Sequence, residues 1–454
     1  MTIRAPDAPA PSRGRRSGGR PFSVLDELNC YFDSPAEPNN VQLEAWLSGH
    51  LRPDRLRAAV TAVLAAVPAA RARRAAAGWW RAGYAWEFPP GADADPVSLT
   101  GWRDEAGLDA ARVRFLAAAP DLDRSPPFRL LLAQGPEWDS LILNAHHAAF
   151  DGRSCVRLLQ LIADQDGAGR QREALAPDRV SAAGPGDRPG GNEPPAGSGS
   201  RPKGLPLPLR NAARIAAQHA DGRAVRSAPG YGVSLLAWPG VPAAPRPGNG
   251  SRATVNDLLI AALIETVTRW NTKRRRPPER IQISMPIDLR PPGHGDELGN
   301  LSRLCTVTVE PSRVADLTAA VAGQTRQAKS TPGPVVSPAQ AVVARTRLPV
   351  PVKRGLARLA LHSVGAIGCD TSLLSNLGNI TDPPEFGTLT ATRMWFSTSA
   401  HMPRGLSVGA VTVGGRLHLC FRYRNALLDA AAGHDFAAEY AAALSALAGG
   451  GPGQ

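Results

Sequence analysis

Between Pro177 and Pro208 the chain becomes a run of Gly, Pro, Ser, Asp and Arg, typified by Gly184-Pro-Gly-Asp-Arg-Pro-Gly-Gly191. A stretch this poor in large apolar side chains has too little surface to bury to offset the entropy of ordering, so no core runs through it. It cuts the 454 residues into two halves. A single core rarely grows beyond about 250–300 residues, so two lobes are also what length alone predicts. The expected division is a basic tail over 1–20, a first lobe over 21–176, a linker with a connecting helix over 177–228, and a second lobe over 229–450.

Both halves mix strand and helix patterns, which makes the fold class α/β. In the first half, Val41, Leu43, Ala45 and Leu47 alternate with Gln42, Glu44, Trp46 and Ser48, a strand signal. From Arg52, the positions Leu56, Val60, Val63, Leu64 and Val67 recur at helical spacing. Leu141-Ile-Leu143 opens a strand that runs into His146-His147, and Ser154 is placed to cap a following helix that carries Val156, Leu159 and Ile162. The second half starts with a strand near Tyr231–Trp238. Thr254 and Asp257 form a capping box for a helix with an apolar stripe of Leu259, Leu263, Val267 and Trp270. Strands are expected at Ile281–Pro286, 303–309, 389–398 and 406–424, the last folded into a hairpin at Gly414-Gly415, and a closing helix at 434–447.

The chemistry concentrates in His146-His147-Ala148-Ala149-Phe150-Asp151-Gly152, on a strand-to-helix turn. Successive side chains at a strand end point to opposite sides, so only one of the two imidazoles faces a cleft. Neutral imidazole takes a proton from an amine or hydroxyl near neutral pH. The aspartate can accept from a ring or clamp a cation, and the glycine admits a close approach to the backbone. On residue chemistry alone, a histidine pair is compatible with plain packing as well as catalysis.

This heptad is similar to HHxxxDG, the signature of the condensation-domain superfamily. That group contains nonribosomal peptide condensation domains, polyketide-associated acyltransferases and wax ester/diacylglycerol synthases, with chloramphenicol acetyltransferase as a fold relative. Trp46-Leu-Ser-Gly49 with Leu56-Arg-Ala-Ala-Val60, Thr254-Val-Asn-Asp-Leu-Leu259, Met285-Pro-Ile-Asp-Leu-Arg290, Leu298-Gly-Asn300 and Ser375-Asn-Leu-Gly378 resemble further family segments in the same order. The resemblance implies two chloramphenicol-acetyltransferase-like lobes in a V with a tunnel at their interface. It implies His147 as base or acceptor-positioning group in that tunnel, with His146 beside it. Asp151 would pair with Arg290 to shape the loop, and Gly152 would lie beside the thioester carbonyl. Ser375 and Asn376 would sit on a loop near the cleft, with Asn376 on the donor or oxyanion, and His401 in a segment bordering the tunnel. No bound cofactor or metal is implied; the co-substrate is an acyl thioester of phosphopantetheine, on coenzyme A or on an acyl or peptidyl carrier protein, and the acceptor is a small molecule.

Other readings carry less. The net charge is +13, but only Lys203, Lys273, Lys329 and Lys353 are lysines, so the charge is arginine dispersed through an Ala/Pro/Gly-rich chain. Aromatics are 5% of residues, too few for stacking platforms among the basic residues, which argues against nucleic acid. Five scattered cysteines form neither a disulfide framework nor a zinc site. No apolar region follows the N-terminal arginines and no span reaches membrane length, so a cytoplasmic monomer is expected, without integral membrane contact. Gly405-Leu-Ser407-Val-Gly409 has nucleophile-elbow spacing, but the alternation after it is that of a hairpin. Asp139-Ser140-Leu141 matches a carrier-attachment serine, but it precedes a strand. The leading expectation is a freestanding acyltransferase of specialised metabolism. Its alternatives are a wax ester/diacylglycerol synthase, for which no exposed amphipathic apolar face stands out, and a non-catalytic docking module, whose members lose the second histidine.

Overall fold

The computed structural model describes residues 19–76, 78–167, 212–218, 230–243, 253–291, 297–331, 335, 346–363 and 370–449. Residues 1–18 of the expected tail and most of the 177–228 linker lie outside these. In the first half, β1 (Arg20–Pro21), α1 (Val24–Phe32), β2 (Asn40–Leu47), α2 (Pro53–Ala66), β3 (Arg73–Arg74), β4 (Ala85–Glu87), β5 (Val97–Gly101), α3 (Glu105–Leu116), β6 (Phe128–Gln134), β7 (Asp139–His146) and α4 (Gly152–Gly167) follow in order. The second half supplies β8 (Tyr231–Trp238), α5 (Val255–Lys273), β9 (Ile281–Asp288), β10 (Ser302–Val309), α6 (Leu317–Ser330), α7 (Val350–Ser363), β11 (Ser372–Ile380), β12 (Glu385–Phe386), β13 (Leu389–Ser397), β14 (Leu406–Val413), β15 (Arg416–Arg424) and α8 (Ala430–Leu447).

Two six-stranded mixed sheets form the frame, in the orders β12-β13-β2-β7-β6-β5 and β10-β9-β11-β14-β15-β8. The odd-numbered residues of β2 face one core with the apolar positions of α2 and α4. The other core packs α5 and α8 against β9, β14 and β15. The capping box Thr254–Asp257 starts α5 as its sequence predicts, and Gly414 and Gly415 turn the β14–β15 hairpin at φ 56° and 72°. The closing helix starts earlier than expected, at Ala430, because Asp429 caps it through the Ala432 amide.

A single cut near residue 229 does not describe the division of the chain. Strand β13, from the second half, pairs antiparallel with β2 at the edge of the first sheet. There it approaches β14 so closely that a Cβ on Gly409 would lie 1.7 Å from the Phe396 carbonyl oxygen. The alternation of β2 misleads for the same reason. Gln42 and Glu44 are fully buried, because that face of the sheet is covered by α3 and the second half. Residues 212–218 of the expected connecting segment are not helical. The amide and carbonyl of Ala216 bond instead to the side chains of Asn271 and Trp270, which leaves them unavailable for helical bonds.

The expectation that no amphipathic apolar face is exposed is overturned at α7. Pro349, Pro351 and Gly355 disguise it in the sequence, yet proline is compatible with a first helical turn. Val350 and Ala357 face α1, whereas Val352, Leu356 and Leu359 face outward.

Candidate active site

Strand β7 ends on His146, and the chain then turns into α4. Alternation separates the two imidazoles as predicted by strand geometry: the His146 ring is buried and that of His147 half-buried. His146 Nδ1 accepts the Ala148 amide at 3.0 Å, so its proton resides on Nε2, which faces Asp33 Oδ2 at 3.7 Å. Burial opposes ionisation of Asp33, but His146, the Asn39 amide and Arg354 together hold its carboxyl below the ordinary value. His146 is therefore a structural ring that fixes the turn.

His147 is held by its backbone. Its amide donates to the Asn39 carbonyl at 2.9 Å, and its carbonyl accepts from Asn300 Nδ2 at 2.9 Å. One clamp comes from the loop before β2, the other from the second half of the chain. Among the described residues, two buried polar atoms here have no hydrogen-bond partner, His147 Nδ1 and Asn300 Oδ1. Burial lowers the His147 pKa, and the opposing pull of Asp151 is too small to restore it. The ring is thus neutral around pH 7, the form in which imidazole accepts a proton.

Asp151 turns its carboxylate away from solvent and into a closed cluster. Oδ1 accepts the Ser154 amide at 2.8 Å, so Asp151 itself caps α4, not Ser154 as the sequence suggests. Arg290, whose side chain is 2% exposed, grips the carboxylate with two bonds of 2.9 and 3.0 Å, and the Leu301 amide adds a third contact at 3.0 Å. The same guanidinium reaches Ser154 Oγ at 2.8 Å and Asp288 at 3.1 Å. Ser154 Oγ donates to the Gly299 carbonyl, whose residue also receives the Asp151 amide. The motif and the 298–301 loop of the other half are locked together by charge-assisted bonds in a buried setting, where such bonds are strongest.

Gly152 lies against side chains of the second half: a Cβ there would come within 2.6 Å of Phe396 and 2.8 Å of Leu377. Ser375 and Asn376 are not on a loop. They belong to β11, paired with Gly409 and Ala410 of β14, and the strand is irregular immediately after them. Asn376 Oδ1 is used locally by the Gly378 amide at 2.9 Å, where Gly378 adopts φ 79°. His401 is half-buried, with Nε2 3.4 Å from Asn39 Oδ1 and Nδ1 3.8 Å from Glu37. Ser399 also donates to Asn39 Oδ1, at 2.7 Å. His401 thus reaches the site through Asn39, the residue that anchors the His147 amide.

The sequence reasoning missed Asn39, Asn300, Ser154 and Asp33 as parts of this site. Each acts on backbone atoms or on a neighbouring ring, a role with no periodic signature, although Asn300 and Ser154 fall inside segments already singled out. Ser407 is buried in β14 and donates to the Thr398 carbonyl, so it is no nucleophile. Ser140 is buried in β7 and donates to Glu44, out of reach of any carrier attachment. Among the described residues, no group of three His, Cys, Asp or Glu is placed to hold a metal ion, and no helix is long and apolar enough to cross a membrane.

No family model matches the chain. Two uncharacterized proteins of Mycobacterium tuberculosis, from strains CDC 1551 / Oshkosh and H37Rv, are each 33% identical over 434 residues, 92% of this chain and 97% of theirs. Among solved structures, the first condensation domain of the calcium-dependent antibiotic synthetase, in complex with a substrate analogue, is 14% identical. It superposes with a TM-score of 0.62 over 94% of this chain and 96% of its own. The starter condensation domain of rhizomide synthetase in complex with C8-CoA gives 0.57 at 12% identity, over 95% of each chain. The epimerization domain of tyrocidine synthetase B gives 0.57 at 13% identity, over 95% and 96%.

Proposed function

From a chain that belongs to one family with the two Mycobacterium tuberculosis proteins and has the condensation-domain fold, we propose an acyltransferase whose base is His147. The observation that carries this reading is the neutral, half-buried imidazole of His147, clamped through its backbone by Asn39 and Asn300. In the reaction, an amine or hydroxyl attacks the carbonyl carbon of an acyl thioester while His147 takes its proton. The carbon–sulfur bond breaks, and the proton passes to the departing thiolate, leaving an amide or ester and a free thiol. Fixing base and nucleophile in one geometry supplies much of the acceleration, and no covalent enzyme intermediate is required.

Asp151 and Arg290 are positioning residues in this scheme, because their ion pair is closed on itself and on the turn. The donor is a phosphopantetheine thioester. Coenzyme A is the form to test first, since a structurally similar starter condensation domain holds C8-CoA. The complete motif, with its second histidine present, favours catalysis over a docking role. The test offers the purified protein acyl-CoAs and acyl-carrier thioesters with panels of amines and alcohols. Acceptor-dependent thiol release, with a product mass equal to the free carboxylic acid plus the acceptor minus water, supports the reading and identifies amide or ester. Absence of release from every pair would leave docking as the better account.

A further inference from the structure

We propose that the Trp79–Trp80 turn and the outer face of α7 form one docking surface for anionic lipid membranes. The apolar residues of α7 divide between two faces. Val350 and Ala357 pack on Leu28 and Tyr31 of α1. Val352, Leu356 and Leu359 point outward, 46%, 45% and 62% exposed, at spacings of four and three that align them in one stripe about 10 Å long. Leu348, just before the helix, is 40% exposed.

The turn between β3 and β4 extends this stripe. Trp79 and Trp80 are 74% and 67% exposed, with their rings edge to face at 6.0 Å. Two bonds hold the turn against the start of α7: the Val350 amide donates to the Arg81 carbonyl at 2.9 Å, and Lys353 Nζ to the Ala82 carbonyl at 2.5 Å. The turn that carries the two tryptophans is thus fixed to the helix that carries the outward stripe.

Charge identifies the occupant. From Thr346 to Ser363 the chain carries Arg347, Arg354 and Arg358 besides Lys353, which is buried beside Glu27 at 3.9 Å, and no carboxylate; Gly78–Ala82 carries Arg81 and no carboxylate. Arg81 and Arg347 are exposed beside the apolar side chains. Large protruding apolar groups with tryptophan among them, bordered by arginine, match the headgroup layer of an acidic bilayer, where indole and guanidinium are both favoured. An acidic protein partner would satisfy the arginines, but the protruding indoles would then require a matching groove on that partner. The surface is firmly joined to the active-site side of the molecule, since Arg354 and Arg358 on α7 donate to the Asp33 carbonyl at 2.9 and 2.7 Å. The proposal does not depend on the acyl-transfer reading.

The experiment is co-sedimentation of the full chain with vesicles of phosphatidylglycerol and phosphatidylcholine, against vesicles of phosphatidylcholine alone. Wild type is compared with Trp79→Ala/Trp80→Ala and with Leu356→Ser/Leu359→Ser, each checked for an unchanged circular dichroism spectrum. Binding that requires the anionic lipid and falls at least tenfold in both variants supports the surface. So does a blue shift of tryptophan emission that disappears in Trp79→Ala/Trp80→Ala. Wild type that ignores anionic vesicles, or variants that bind them as well as wild type, would overturn it. So would an acidic carrier protein whose binding these variants lose while vesicles are not bound.

Discussion

In the proposed reaction His147 can act as base only while its ring is uncharged, and the protein biases it that way by burial. The sign of the resulting pH dependence is fixed. With the pKa lowered from 6.5, kcat/KM stays high as pH falls through the ordinary histidine range and declines only below it. A profile whose acid limb lies above 6.5 would assign the titration to another group. Asp151 and Arg290 obey a different rule. Both are buried, and removing Asp151 leaves Arg290 only the more exposed Asp288 as a counter-ion, a loss of about 3 kcal/mol. Asp151→Ala is therefore expected to shift the denaturant midpoint strongly downward. Its effect on activity should follow from the loosened 298–301 loop, visible as faster amide exchange at Leu301, whose N–H loses its acceptor.

At the scale of elements, the turn between β7 and α4 depends on close contact with β11 and β13. Gly152→Ala inserts a methyl group against Phe396 and Leu377, side chains that move only with cost; a loss of about 1–3 kcal/mol is expected in chemical denaturation. Gly409→Ala meets a backbone carbonyl instead, and should lower the yield of folded protein more severely. These contacts explain what the sequence did and did not disclose. Helices α2, α4 and α5 and the β14–β15 hairpin were legible because their apolar spacing and caps are local. Strand β11 is not legible locally, because Ser375, Asn376 and Gly378 have turn character and its pairing partners lie far along the chain. Helix α7 was hidden by two prolines and a glycine. The Asp151–Arg290 pairing was readable only through the family motif, since nothing local links residues 139 positions apart.

For the whole molecule, the seam between the halves is polar where a simple two-lobe reading leads one to expect apolar packing. Across it Arg422 donates to Asn40 Oδ1 at 2.7 Å and Ser397 to Gln42 Oε1 at 2.8 Å. On the first-half side Glu44 and Arg112 are fully buried, joined by bonds of 2.5 and 2.7 Å, with Trp46 and Ser140 on the same carboxylate. Burial opposes ionisation of Glu44, but Arg112 prevails and holds its carboxyl below the ordinary value. A carboxylate depressed in the folded state adds stability that is present above its unfolded value and lost as pH falls through the folded one. Arg112→Met removes the partner. It is expected to cost about 3–5 kcal/mol at neutral pH. Because burial then raises the unpaired Glu44 carboxyl, the deficit should shrink as pH falls and Glu44 takes up a proton, as followed by denaturant unfolding across a pH series. The seam bears on the proposed reaction because the strands and loops that meet along it deliver Asn39 and Asn300 to the backbone of His147. The most direct test of that arrangement is acceptor-dependent thiol release from an acyl-CoA by wild type and by His147→Ala, the two matched for folded content. Loss of at least about 100-fold in the variant is the predicted result; release by His147→Ala at the wild-type rate would contradict the account.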